Sequence, residues 1–159
     1  MATAADAMIR TIVVGTDGSP QAQAAVTFTG QLAKQLGAEV ILVHAMPPFP
    51  LGVKHSGRLA FVPQGFIDDA RAAHERRARS EFCAPLAAAR VAWQVHIQEG
   101  SAPEVIAEAV NSFQAQLIVV GRRGLRGLGE LVLGSTSRAL THHASVPVLV
   151  VPPMSVHAG

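Results

Sequence analysis

Five short apolar runs separated by helical stretches predict an α/β fold: a single five-stranded parallel sheet with helices on both faces. Two observations lead there. The runs Ile12-Val13-Val14, Val40 to Ala45, Leu117 to Val120 and Pro147 to Val151 are nearly continuous in aliphatic residues, as strands buried on both faces require. The stretches between them carry apolar residues at steps of three and four, which is one face of a helix. The chain has 159 residues, enough for one domain with a real core. That domain is expected over 9–152, with 1–8 and 153–159 as loose ends.

The elements follow in order. Ile12-Val13-Val14 is strand one, ended by Gly15-Thr16-Asp17-Gly18. Ser19 then Pro20 opens a helix, a hydroxyl cap followed by proline at the first helical position. Ala22, Val26, Thr29, Ala33 and Leu36 line its apolar face, and Gly37 stops it. Strand two runs from Val40 to Ala45. Met46 to Phe66 holds four prolines and three glycines and is expected to be a long loop, functional or mobile. Ile67 to Arg90 returns to helical composition, with Asp68 and Asp69 at its start and Pro85 dividing it. Val91, Trp93, Val95 and Ile97 alternate with polar or small residues, so strand three is expected at a sheet edge with one wetter face. Ser101-Ala102-Pro103-Glu104 fits a capping box. Val105, Ile106, Ala109, Val110 and Phe113 make the next helical stripe. Strand four ends at Gly121, a helix spans about Leu133 to His143, and strand five ends before Pro152-Pro153.

Composition removes several functions. Hydrophobic residues are 49% and charged residues 15%, which describes a globular chain. No apolar run reaches the roughly 20 residues of a membrane span. The opening MATAADAMIR lacks the apolar core of a signal peptide, so a cytoplasmic protein is expected. One cysteine, Cys83, leaves no internal disulfide and no cysteine-based zinc cluster. Net charge is +2, there is no tyrosine and only one tryptophan; stacking platforms for nucleic acid need more. Adjacent His142 and His143 point about 100° apart on a helix and do not share an ion easily.

In a doubly wound sheet the ligand sits beyond the carboxyl ends of the strands, where strand order reverses. Two loops suit that place. One is Gly15 to Ser19. The other is the glycine-rich segment from Gly121 to Ser137. It lacks the Lys-Ser/Thr ending of a P-loop and does not fit the dinucleotide fingerprint. It offers backbone instead. Gly121 and Gly124 let the main chain approach a ligand. Gly134, Ser135 and Thr136 stand where a helix begins, a place that binds phosphate. Arg122, Arg123 and Arg126 add positive charge nearby.

Gly121-x2-Gly124-x9-Gly134-Ser135 resembles the signature of the universal stress proteins of the ATP-binding type. Val13-Val14-Gly15-Thr16-Asp17-Gly18-Ser19, Val43-His44-Ala45 and Pro147 to Val151 are similar to that family's first, second and last strands. The resemblance runs from Ile12 to Val151. It implies strand order 3-2-1-4-5 and a fold like flavodoxin and the adenine nucleotide alpha hydrolases. It implies a homodimer through the last strand, and ATP as ligand, with Mg2+ as a companion ion. Asp17 would contact the adenosine, with Gly15 and Thr16 shaping the floor and Ala45 against the adenine. Gly121, Gly124, Gly134, Ser135 and Thr136 would hold ribose and phosphates. The phosphate role of Arg122 and Arg123 rests on charge alone.

Plainer readings stand beside these. Asp17 could simply cap the helix after it, Ser135 could be a helix cap, and the glycines could serve a turn. His44 reads first as structural, and Cys83 as a buried, inert thiol. Three functions compete: a dimeric ATP-binding module of the stress response, an ATPase on the same site, and a nucleotide-free scaffold. The intact glycine signature disfavours the scaffold. The phosphate segment contains no lysine and only one acid, Glu130, which disfavours an efficient ATPase. The binding module is the expectation.

Overall fold

The computed structural model describes residues 8–48, 52–55, 58–122 and 133–153. Among them, seven strands and five helices occur in the order β1 (Thr11–Gly15), α1 (Pro20–Leu36), β2 (Glu39–Met46), β3 (Gly52–His55), β4 (Arg58–Phe61), α2 (Gln64–Arg77), α3 (Ala84–Ala89), β5 (Trp93–Glu99), α4 (Ala102–Phe113), β6 (Leu117–Gly121), α5 (Ser135–His143) and β7 (Val148–Val151). A π-helical turn, Ala78–Phe82, joins α2 to α3. β5, β2, β1, β6 and β7 form one sheet in that order, with every neighbouring pair parallel. Counted along the chain this is order 3-2-1-4-5, as expected.

β1 is buried at all five positions because it is the central strand with helices on both faces. Successive side chains point to opposite faces, and two apolar clusters result. Ile12, Val14, Val40, Leu42 and Val119 pack with Ala25, Val26 and Ala33 of α1 and Leu86 of α3. Val13, Ile41, Val43, Ile118 and Val120 pack with Val105, Ile106, Ala109 and Val110 of α4 and Leu140 of α5. Each fully buried aliphatic side chain contributes about 1.5–3 kcal/mol relative to exposure. β5 lies at one edge and β7 at the other, as their sequences suggest.

α1 begins as expected. Ser19 Oγ accepts the Ala22 amide at 3.1 Å, and Pro20 takes the first helical position. Gly37 ends it at φ +66°, the left-handed conformation that glycine adopts without steric cost. At α4 the outcome differs in detail. Ser101 makes no side-chain bond to the backbone; its hydroxyl donates to Glu104 Oε2 at 2.6 Å. A charge-assisted bond to a carboxylate is stronger than the neutral capping bond it replaces.

Three expectations are corrected. Met46 to Phe66 is not a plain loop: β3 and β4 pair as an antiparallel hairpin, with Gly52 opposite Phe61 and His55 opposite Arg58. α2 starts at Gln64 rather than Ile67, so Asp68 and Asp69 lie past the first turn. The last helix starts at Ser135 rather than Leu133. Pro85 divides the preceding helix as expected. Proline has no amide to bond the carbonyl four residues back, and that carbonyl, Glu81, accepts instead from Gln23 Nε2 of α1 at 3.2 Å. The loose-end expectation for 1–7 and 154–159 falls outside the described residues.

Candidate functional site

From β1 the chain crosses to β2 on one side and later enters β6 on the other. Strand order therefore reverses between β1 and β6, and the crevice outside their carboxyl ends is the ligand position of this architecture. Gly15, Thr16 and Asp17 leave β1 there. Gly121 and Arg122 leave β6 there, and Gly134, Ser135 and Thr136 return to it at the start of α5. Ala45 stands at the end of β2, on the other side of β1. Arg123 and Gly124, with Arg126 and Glu130, lie outside the described residues.

The β1 loop is folded by its own side chains. Thr16 Oγ1 accepts the Gly18 amide at 3.1 Å, and Asp17 Oδ1 accepts the Ser19 amide at 2.9 Å. One carboxylate oxygen of Asp17 thus makes an Asx turn, while Ser19 is the helix cap. Gly15 has a packing reason for its identity: a Cβ there would meet Ile106 Cδ1 at 2.6 Å and Val120 Cγ1 at 3.2 Å. Gly18 has φ +78°, and a Cβ there would meet the Phe82 ring at 2.6 Å.

The β6 side is tied together at its base. The Arg122 amide donates to the Val151 carbonyl at 2.8 Å, and the Gly134 amide donates to the Arg122 carbonyl at 2.8 Å. Ser137 Oγ donates to the Gly121 carbonyl at 2.7 Å. Ser135 is exposed and Thr136 half-buried at the first turn of α5. The first amides of a helix have no intrahelical acceptor, and with the helix dipole they suit an anion. Among the described residues no group of three or more His, Cys, Asp or Glu could hold a metal ion.

His44 and Ser137 are the residues whose part in this arrangement the sequence did not disclose. His44 is buried, and its Nδ1 lies 2.9 Å from the Thr16 carbonyl. Its ring stacks on His74 at 5.8 Å and meets the edge of Phe82 at 5.4 Å. The Arg77 guanidinium sits 5.5 Å from the centroid of that same Phe82 ring. Burial lowers the pKa of His44 below its ordinary 6.5; the Thr16 carbonyl opposes this, nearby His74 and Arg77 add to it, and Asp17 opposes it. Cys83 is buried as expected, and desolvation pushes its thiol up to about 11, so it is an unreactive thiol at neutral pH.

The His44 shift has a sign that can be tested. The unfolded chain takes up this proton near 6.5, and the folded chain only at lower pH. Stability from neutral His44 is therefore complete above 6.5 and is lost as pH falls through the folded value. Urea midpoints should decline as pH falls below about 6.5, and His44→Asn should flatten the decline. Equal slopes for both proteins would remove His44 from the account.

The universal stress protein family model matches residues 8–152. The chain belongs to the universal stress protein family. It is 33% identical over 140 residues to a universal stress protein of Mycolicibacterium smegmatis, covering 88% of this chain and 47% of that relative. It thus spans about half the length of that protein. With a universal stress protein of Thermus aquaticus it shares 31% identity over 145 residues, covering 91% of this chain and 99% of the relative. A solved universal stress protein in complex with cAMP has a TM-score of 0.69 at 25% identity, covering 92% of this chain and 99% of that one. The sheet order found here, 3-2-1-4-5, is the one the resemblance implies. Among the described residues no helix is long and apolar enough to cross a membrane.

Proposed function

We infer that this universal stress protein is a dimeric ATP-binding module of the stress response that hydrolyses its ligand slowly or not at all. The observation that carries the reading is the convergence of two loops at one switch point. The β1 loop brings Thr16 and Asp17, and the end of β6 with the start of α5 brings Gly121, Gly134, Ser135 and Thr136. The first would serve the adenosine and the second the phosphates. The related protein solved with cAMP supports an adenine nucleotide as the class of ligand. Arg123 and Gly124 would complete the phosphate end, and Mg2+ would arrive on the phosphates themselves. The uncharged last strand, Val148 to Val151, would join two copies.

Slow turnover follows from what the site holds. Phosphoryl transfer relies on positioning and on charge neutralised at the transferred group. Asp17 serves the opposite end of the nucleotide, and one of its oxygens is engaged in the Asx turn. Native mass spectrometry of the purified protein should find an adenine nucleotide bound. Phosphate release at saturating ATP and magnesium should stay far below the common enzyme range of about 1–1,000 per second. Turnover within that range, abolished in Glu130→Gln, would establish an ATPase instead.

A further inference from the structure

The geometry points to Ser137 as a positioning residue for the phosphate end of the proposed ATP site, a clamp that fixes the start of α5 against the end of β6. The inference rests on the ATP reading above and assigns a residue that the glycine signature does not include. α5 is nine residues long, and only Ser137 and Leu140 among them are buried. Leu140 anchors the helix to the apolar cluster under α4. Ser137, 2% exposed, anchors the N-terminal turn, and it does so through a hydroxyl.

A buried hydroxyl is costly unless it is hydrogen-bonded, so space-filling alone would favour alanine here. The partner of this hydroxyl is the carbonyl of Gly121, the residue at which β6 opens into the glycine-rich segment, 2.7 Å away. The next carbonyl, Arg122, accepts the Gly134 amide at 2.8 Å. Two consecutive carbonyls of the strand end are therefore bonded to the first turn of the helix. On its other side Arg122 is bonded through its amide to Val151 of β7, so the strand end itself is held. Remove the Ser137 bond and, among the described backbone bonds, it is the Gly134 bond that still ties the helix start to β6. The first turn is then free to tilt about Leu140, carrying the amides of Ser135 and Thr136 with it. Anion recognition by amides depends on where those amides point. Adenosine, which has no phosphate, does not use them.

Calorimetric titration of the full chain with ATP and, separately, with adenosine tests the clamp. Ser137→Ala should raise the ATP Kd about tenfold, the scale of one lost hydrogen bond, and leave the adenosine Kd within about twofold. Ser137→Thr, which keeps the hydroxyl, should recover ATP affinity. Wild-type ATP affinity in Ser137→Ala overturns the clamp, as does a parallel loss for ATP and adenosine, which is what general loosening of the fold produces. A Ser137→Thr protein that melts like the unmodified chain yet binds ATP no better than Ser137→Ala overturns it too. If the unmodified chain binds no adenine nucleotide, the ATP reading itself fails and the clamp goes with it.

Discussion

Valine at position 134 should abolish ATP binding without unfolding the protein. Gly134 is the N-cap of α5, with φ −58° and ψ 157°. That conformation is open to any L-residue, so the glycine is not required by its backbone angles. Its amide bond to the Arg122 carbonyl uses no side chain and survives the substitution. What a branched side chain changes is the space in front of the first helical turn, where a phosphate would have to approach the amides of Ser135 and Thr136. Valine is also a poorer cap, and the helix start is expected to lose about 0.5–1 kcal/mol on that account, too little to unfold a domain with two apolar clusters. Arg122→Ala makes the contrast. It removes charge and no backbone, and should weaken binding by about 1.5–3 kcal/mol at most. Calorimetry with ATP on both variants, beside their melting temperatures, reads the difference. Normal binding by Gly134→Val together with none by Arg122→Ala would mean that charge, not backbone, holds the phosphates.

The sheet was legible because burial on both faces leaves an unmistakable mark. β1 and β6 are short aliphatic runs, and a strand enclosed by helices has no reason to alternate. β5 alternates, and it lies at an edge. The hairpin leaves no such mark in the sequence. An antiparallel pair needs only its own two arms to satisfy its ladder, and Phe61 at its end is 78% exposed. The prolines around it then read as loop. The start of α2 is not marked in the sequence because the helix buries only Ile67; without a stripe, composition marks a helix but not its first residue. At the site, sequence offered Asp17 as cap or ligand. The structure shows a turn-forming oxygen on Asp17 and the cap on Ser19. The bonds of His44 to Thr16 and Ser137 to Gly121 join residues 28 and 16 positions apart. They depend on strand adjacency and on the return of the chain to β6, and no local pattern encodes such a pairing.

Proline at Val150 should convert the proposed dimer into a monomer. β7 is the last strand of the sheet, bonded to β6 on one side, and Val148, Leu149 and Val150 are only partly buried. An uncharged edge strand with unpaired backbone groups is a template for another chain, and a two-fold axis makes the added pairing antiparallel and self-limiting. The choice of position follows from the ladder. The carbonyls of Pro147 and Val151 accept from Ile118 and Arg122 of the β6 side. Backbone groups alternate in direction along a strand, so Leu149 also faces β6, while Val148 and Val150 face the open edge. A proline at Leu149 would break the sheet within one chain. A proline at Val150 removes a donor from the outer edge alone and stiffens the strand at φ near −65°. Sedimentation at micromolar concentration should show a dimer for the unmodified chain and a monomer for Val150→Pro, with the parallel β6–β7 pairing retained in both. A monomer for the unmodified chain, or a dimer that survives Val150→Pro, would move the contact between copies away from β7.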